Sequence, residues 1–303
     1  MTIHASARRF AGGLVFLLVT LFSFASAAQA DDLLKPFIMV SNQPGDMAQT
    51  VAKTKAALTS NGFEVIGEYA PYDGADIIVV TSPELKAHAA KSDMGGFGAM
   101  QRVSITKVKD NIQVAYTNPV YMSNVLRMDG DMADIAAKMA QALGQGTPYG
   151  AEGLTARKLR KYHYMFGMPY FDDPYELGEF DSHEAAVKAV EAGLAKGAGG
   201  VTQVYRLDIP GKQETVFGVH MTKGCSGDKY IMDRIDFGDL KSTAHLPYEM
   251  MVDGKKVVAL HAKFRIAQSF PDLSMMGSNS FFSIMCAPDA IDKALSAVVG
   301  KDE

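Results

Sequence analysis

The sequence predicts an α+β protein of two tandem α/β-sandwich modules, each running strand, helix, strand, strand, hairpin, helix. Three observations carry this. Short apolar runs bounded by Gly, Pro, Asn and Asp alternate with stretches whose apolar residues recur near the helical period. The order of these elements repeats in the two halves of the chain. Hydrophobic residues make up 48% of the 303, enough for a packed core, and no run after residue 30 approaches the roughly 18 apolar residues a membrane span needs.

The chain opens with a leader. Arg8 and Arg9 form a positive start, residues 11–27 are apolar and uncharged, and Ala28-Gln29-Ala30 has the small-x-small pattern of a cleavage site. Residues 1–30 therefore read as a secretory signal peptide, cleaved before Asp31. Arg8-Arg9-Phe10 lacks the rest of a twin-arginine pattern, so ordinary export is expected. The protein is expected in a periplasm or outside the cell, with no membrane anchor after cleavage. The formal charge of −4 becomes more negative once the two leader arginines are gone, and no Lys/Arg block occurs. Nucleic acid is thereby excluded as the main partner.

In the first module, residues 31–144, the run 37–41 reads as a strand, with Gln43-Pro44-Gly45 as its turn. Asp46 is placed to cap a helix carrying Met47, Val51 and Leu58, which Asn61-Gly62 ends. Residues 63–70 and 76–81 are strands around a Pro-Gly-containing turn, and 83–91 a short helix. Met94-Gly95-Gly96-Phe97-Gly98 reads as a flexible loop. Residues 103–107 and 112–116 form a hairpin around Asp110-Asn111, and Asp131 caps a last helix bearing Ile135, Met139 and Leu143.

Residues 145–161 read as a linker, rich in Gly, to a second and more divergent module over 162–303. There, 176–180 is a strand, and Asp181 or Ser182 caps a helix with Val187, Val190 and Leu194 on one face. Strands follow at 201–209 and 215–221, then a hairpin of 248–252 and 256–262 around Asp253-Gly254. Pro288 opens a closing helix with Ile291, Leu295 and Val298. In each half the last strand runs into an irregular amphipathic bridge before the closing helix.

The helix end Asn61-Gly62-Phe63, the strand 112–116 and Asn118-Pro119 before the last helix resemble the DUF302 family, whose fold is called TT1751-like. Residues 162–300 resemble it more weakly, with an insertion at 222–246. The resemblance implies a compact α+β sandwich that can pair with itself, as a homodimer, and it supplies no site residues.

Familiar catalytic patterns are missing: no Walker loop, Gly-x-Ser-x-Gly elbow, Cys-x-x-Cys or haem-attachment motif occurs. His163, Met165 and Met168 pair an imidazole with two thioethers, soft ligands suited to Cu(I), or else form a packing strip. His220, Cys225 and His261 form a second candidate metal set, and Cys225 and Cys286 can form a disulfide. The leading expectation is an exported, non-catalytic binding or accessory protein holding a small molecule or a periplasmic protein partner at the junction of its modules. The alternatives are a periplasmic copper- or haem-handling protein, and a thiol or redox enzyme using Cys225 or Cys286 with His220 or His261. No particular cofactor is indicated.

Overall fold

The computed structural model describes residues 1–2, 32–162 and 170–301. The first half contains β1 (Phe37–Pro44), α1 (Met47–Ser60), β2 (Glu64–Tyr69), β3 (Ala75–Thr81), α2 (Pro83–Lys91), β4 (Gln101–Val108), β5 (Asn111–Thr117), α3 (Pro119–Val125), α4 (Ala133–Leu143), β6 (Thr147–Tyr149) and α5 (Ala156–Leu159). The second contains β7 (Pro174–Glu179), α6 (His183–Ala195), β8 (Val201–Asp208), β9 (Glu214–Met221), α7 (Asp228–Ile235), β10 (Tyr248–Asp253), β11 (Lys256–Leu260), α8 (Ala262–Ser269) and α9 (Ala287–Val298). The helices start where short polar side chains can satisfy free backbone N–H groups. Asp46 accepts from Gln49 N at 2.8 Å, and Ser82 and Ser182 accept from the third residue of α2 and α6.

Two antiparallel sheets result, one of order β2-β3-β4-β5-β1-β6 and one of order β8-β9-β10-β11-β7. The correspondence goes beyond order. A bulge leaves Ile66 out of the β2–β3 ladder, and another leaves Val204 out of β8–β9. A second pair of bulges omits Val40 from β1–β5 and Leu177 from β7–β11. Matching these rungs aligns Gly67, Val79 and Arg102 with Tyr205, Gly218 and Glu249. Carried along the hairpins, the same alignment sets Asn118 opposite His261, each at the N-cap position of the helix that follows.

Helices α1 and α4 cover one face of the first sheet, and α6 and α9 one face of the second. The other faces meet. Gly67 is there because the backbone of the second half comes so close: a Cβ at this position would lie 2.9 Å from the Val204 carbonyl. The apolar core runs through both halves, from Leu58, Ile77 and Val103 to Val219, Met250 and Leu295, all fully buried.

Several segments depart from the sequence reading. Residues 145–161 are not a free linker. Thr147–Tyr149 adds a sixth strand beside β1, Leu34 and Leu154 exchange backbone hydrogen bonds, and the Arg160 guanidinium donates to Asn124 Oδ1 and Met128 O. The glycine run 95–98 is a buried turn rather than a flexible loop, and Gly96 N donates to Glu214 Oε2 at 2.9 Å. Met132, not Asp131, occupies the N-cap position of α4, while Asp131 accepts from Ala133 N. Both irregular bridges are helices, α3 and α8, and the insertion at 222–246 contains α7. His261, expected on a strand, instead starts α8, because β11 stops at Leu260.

Candidate functional site

At the junction of the halves the equivalent residues Arg102 and Glu249 pair with each other, Nη1 to Oε1 at 2.6 Å. Arg265 of α8 completes the cluster: Nε donates to Glu249 Oε2 at 3.0 Å, and Nη2 to the carbonyls of His245 and Pro247. Its Nη1 donates to His245 Nδ1 at 2.9 Å, and Ser269 Oγ lies as close to the same nitrogen. Burial and the two guanidiniums hold the His245 pKa well below its ordinary value, so this imidazole is neutral. Beside the cluster, the Tyr69 hydroxyl donates to Asp228 Oδ2 at 3.2 Å, with His220 Nε2 3.9 Å from the same oxygen. Burial raises the Asp228 pKa far above the carboxylate range. The arrangement is a packed polar seam that joins two sheets.

A polar cleft of about 330 Å³ lies at the edge of this junction, between Asp93, Met94, Phe97 and Arg127 on one side and Asp172 and Asp173 on the other. Arg127 spans it, with Nε donating to Asp172 Oδ2 at 2.6 Å and Nη2 to Asp173 at 3.3 Å. The two carboxylates thus share one guanidinium across the cleft.

The second half holds two pockets on either side of the start of α8, with Lys263 and Phe264 in the walls of both. The larger, about 300 Å³, is apolar and is lined by Tyr162, Ile266, Phe270, Leu273, Met275 and Phe281 among others. The smaller, about 210 Å³, is polar: Tyr175 of β7 and His261 form its inner wall, and Asp289 and Asp292 of α9 stand exposed at its rim. The Tyr175 hydroxyl oxygen is buried with no hydrogen-bond partner among the described residues. The His261 ring packs against Tyr175 at 5.0 Å and Phe264 at 6.5 Å between centroids, and its side chain makes no hydrogen bond among the described residues. Partial burial lowers the His261 pKa, against the pull of Asp173 and Asp292, so the imidazole is neutral near pH 7. Burial raises the Tyr175 pKa, and the Asp292 charge adds to it. Two hydrogen-bonding side chains without hydrogen-bond partners among the described residues, both lining one cavity beside an apolar one, are what a small-molecule site needs.

The residues singled out by sequence that the structure describes separate in space, the cysteines excepted. His163, Met165 and Met168 lie outside the described residues. Cys225 and Cys286 form a disulfide with Cα atoms 5.9 Å apart, and the described residues hold no free thiol. His220 faces Tyr69 and Asp228, whereas His261 faces Tyr175 and Phe264. The set His220, Cys225, His261 is therefore not assembled as a metal site, and no group of three His, Cys, Asp or Glu among the described residues could hold a metal ion. Tyr175, Lys263 and Phe264 carried no motif, because only the β7–β11 pairing and the turn into α8 bring them to His261. No helix among the described residues is long and apolar enough to cross a membrane. Comparison of the chain with family models, curated proteins and solved structures finds no match.

Proposed function

We propose that this is an exported, duplicated α+β protein of the DUF302 type that binds a small apolar molecule in the second of its two modules. Duplication is supported by the shared strand order and by two bulges at matching rungs, since a bulge costs a ladder position and seldom recurs in register by chance. Export rests on the leader pattern of residues 1–30. The observation that carries the binding reading is the apolar pocket of about 300 Å³ against α8, lined by Phe264, Ile266, Phe270 and Leu273. It takes the place of a junction site, because the junction is filled by the Arg102–Glu249–Arg265 seam. The neutral fluorophore N-phenylnaphthylamine should bind saturably at one site per chain, and Leu273→Asp should abolish this with the circular dichroism of the fold unchanged. Binding that does not saturate, or that survives Leu273→Asp, refutes the reading. N-terminal sequencing of protein recovered from outside the cytoplasm should begin at Asp31; a product retaining Met1 refutes the export reading.

A further inference from the structure

We propose that the polar pocket at His261 is the head-group subsite of the same binding site, and that the ligand is a single-chain amphiphile ending in a carboxylate. This rests on the apolar pocket being a binding site, and adds what sits at its other end. The two pockets share Lys263 and Phe264, so one molecule can lie with its chain against Phe270 and Leu273 and its head against Tyr175 and His261.

The chemistry of the pocket selects the head. Its inner groups are the Tyr175 hydroxyl, buried and without a partner, and a neutral imidazole with no hydrogen bond to either nitrogen among the described residues. Both can donate. Lys263 adds a cation that forms no salt bridge among the described residues, and it stands where the chain would cross from one pocket to the other. The comparison between the halves adds a further point. In the first, Asn118 Oδ1 accepts from the backbone N–H groups of Val120 and Tyr121 and closes the start of α3. At the equivalent place His261 provides no side-chain cap, so the start of α8 is left open toward the cavity. A carboxylate oxygen would accept from the Lys263 N–H, the counterpart of the Val120 N–H that Asn118 satisfies, since Phe264 N already donates to the His261 carbonyl at 2.9 Å. The rim carboxylates Asp289 and Asp292 limit the charge the pocket tolerates, which favours a singly charged carboxylate over a doubly charged phosphate.

The test is competition against N-phenylnaphthylamine by dodecanoate and by dodecyltrimethylammonium, on the parent protein and on Tyr175→Phe, His261→Asn and Lys263→Met. Histidine to asparagine installs the capping residue of the equivalent position, which keeps the helix start satisfied. Dodecanoate should compete at least tenfold better than the ammonium. Each variant should weaken dodecanoate about tenfold, the worth of one hydrogen bond to a charged group, and Tyr175→Phe and His261→Asn, whose residues lie outside the apolar pocket, should leave fluorophore binding unchanged. Equal competition by the two amphiphiles, or variants that leave dodecanoate unaffected, overturns the head-group assignment while the apolar pocket stands. Failure of the fluorophore itself to bind removes the pocket reading and this one with it.

Discussion

Replacing Glu249 by Ala should be among the most damaging single changes the protein can suffer. The side chain is 4% exposed, and its two oxygens are shared between Arg102 at 2.6 Å and Arg265 at 3.0 Å. Both guanidiniums are buried as deeply, with side chains 5% and 2% exposed. Removing the carboxylate leaves two like charges facing each other out of water, with no other carboxylate paired to either among the described residues. Breaking a buried pair from one side costs about 3–5 kcal/mol, and the doubled cation places this site at the upper end. At 2–4 °C per kcal/mol for a chain of this size, the melting temperature should fall by about 10 °C or more. Thermal and urea unfolding followed by circular dichroism would measure it. Arg102→Met keeps bulk and leaves Glu249 paired with Arg265, so it should cost less than half as much. Because Glu249 joins the two sheets, calorimetry of Glu249→Ala should also split or broaden the transition as the halves lose cooperativity. A loss below about 1 kcal/mol, or an Arg102→Met variant less stable than Glu249→Ala, refutes the account of the seam.

Three further outcomes follow from other parts of the fold. The Cys225–Cys286 bond closes a loop of 61 residues, so reduction or a double Cys→Ser change should cost about 4 kcal/mol of stability by loop entropy, read from melts with and without dithiothreitol; no change would show that the bridge constrains nothing. Burial pushes the Asp236 pKa up to about 6, above its unfolded value. A raised folded pKa gives stability that is complete below the unfolded pKa near 4 and is lost as pH rises through 6. The stability difference between the parent and Asp236→Asn should therefore swing toward the variant between pH 4 and 7, by at most about 3 kcal/mol, and a pH-independent difference refutes it. Gly218→Ala would set a Cβ 1.9 Å from Cε1 of the buried Tyr205 ring and should destabilise by about 1–3 kcal/mol, whereas Gly197→Ala meets no atom within 4 Å and should cost only its left-handed backbone strain; equal costs would refute the packing argument.

Local chemistry was legible in the amino-acid order. The caps Asp46, Ser82 and Ser182, the turn glycines, the apolar run of β3 and the alternation in β4 mark their elements because each signal is made by neighbours in sequence. Helices α3 and α8 escaped because they are about two turns long and almost wholly buried, so the polar face that makes a helical period visible is missing. The glycine run 95–98 carried the composition of a loop, yet Gly96 serves close packing against Met251 and Val216, residues more than a hundred positions away.

The candidate site shows the same division more sharply. Sequence alone marked His220, Cys225 and His261 as chemically notable and left open whether they meet, since a strand's register decides which face each residue takes. Tertiary structure separated them, bonding Cys225 to Cys286, turning His220 to Tyr69 and Asp228, and leaving His261 with Tyr175 at an open cavity. Residue types and their near neighbours determine which segments are strands, where helices begin and which side chains can hydrogen-bond. Pairing across sheets and between halves decides which of those side chains find a partner, because that depends on distances through space that the order of residues along a chain does not encode.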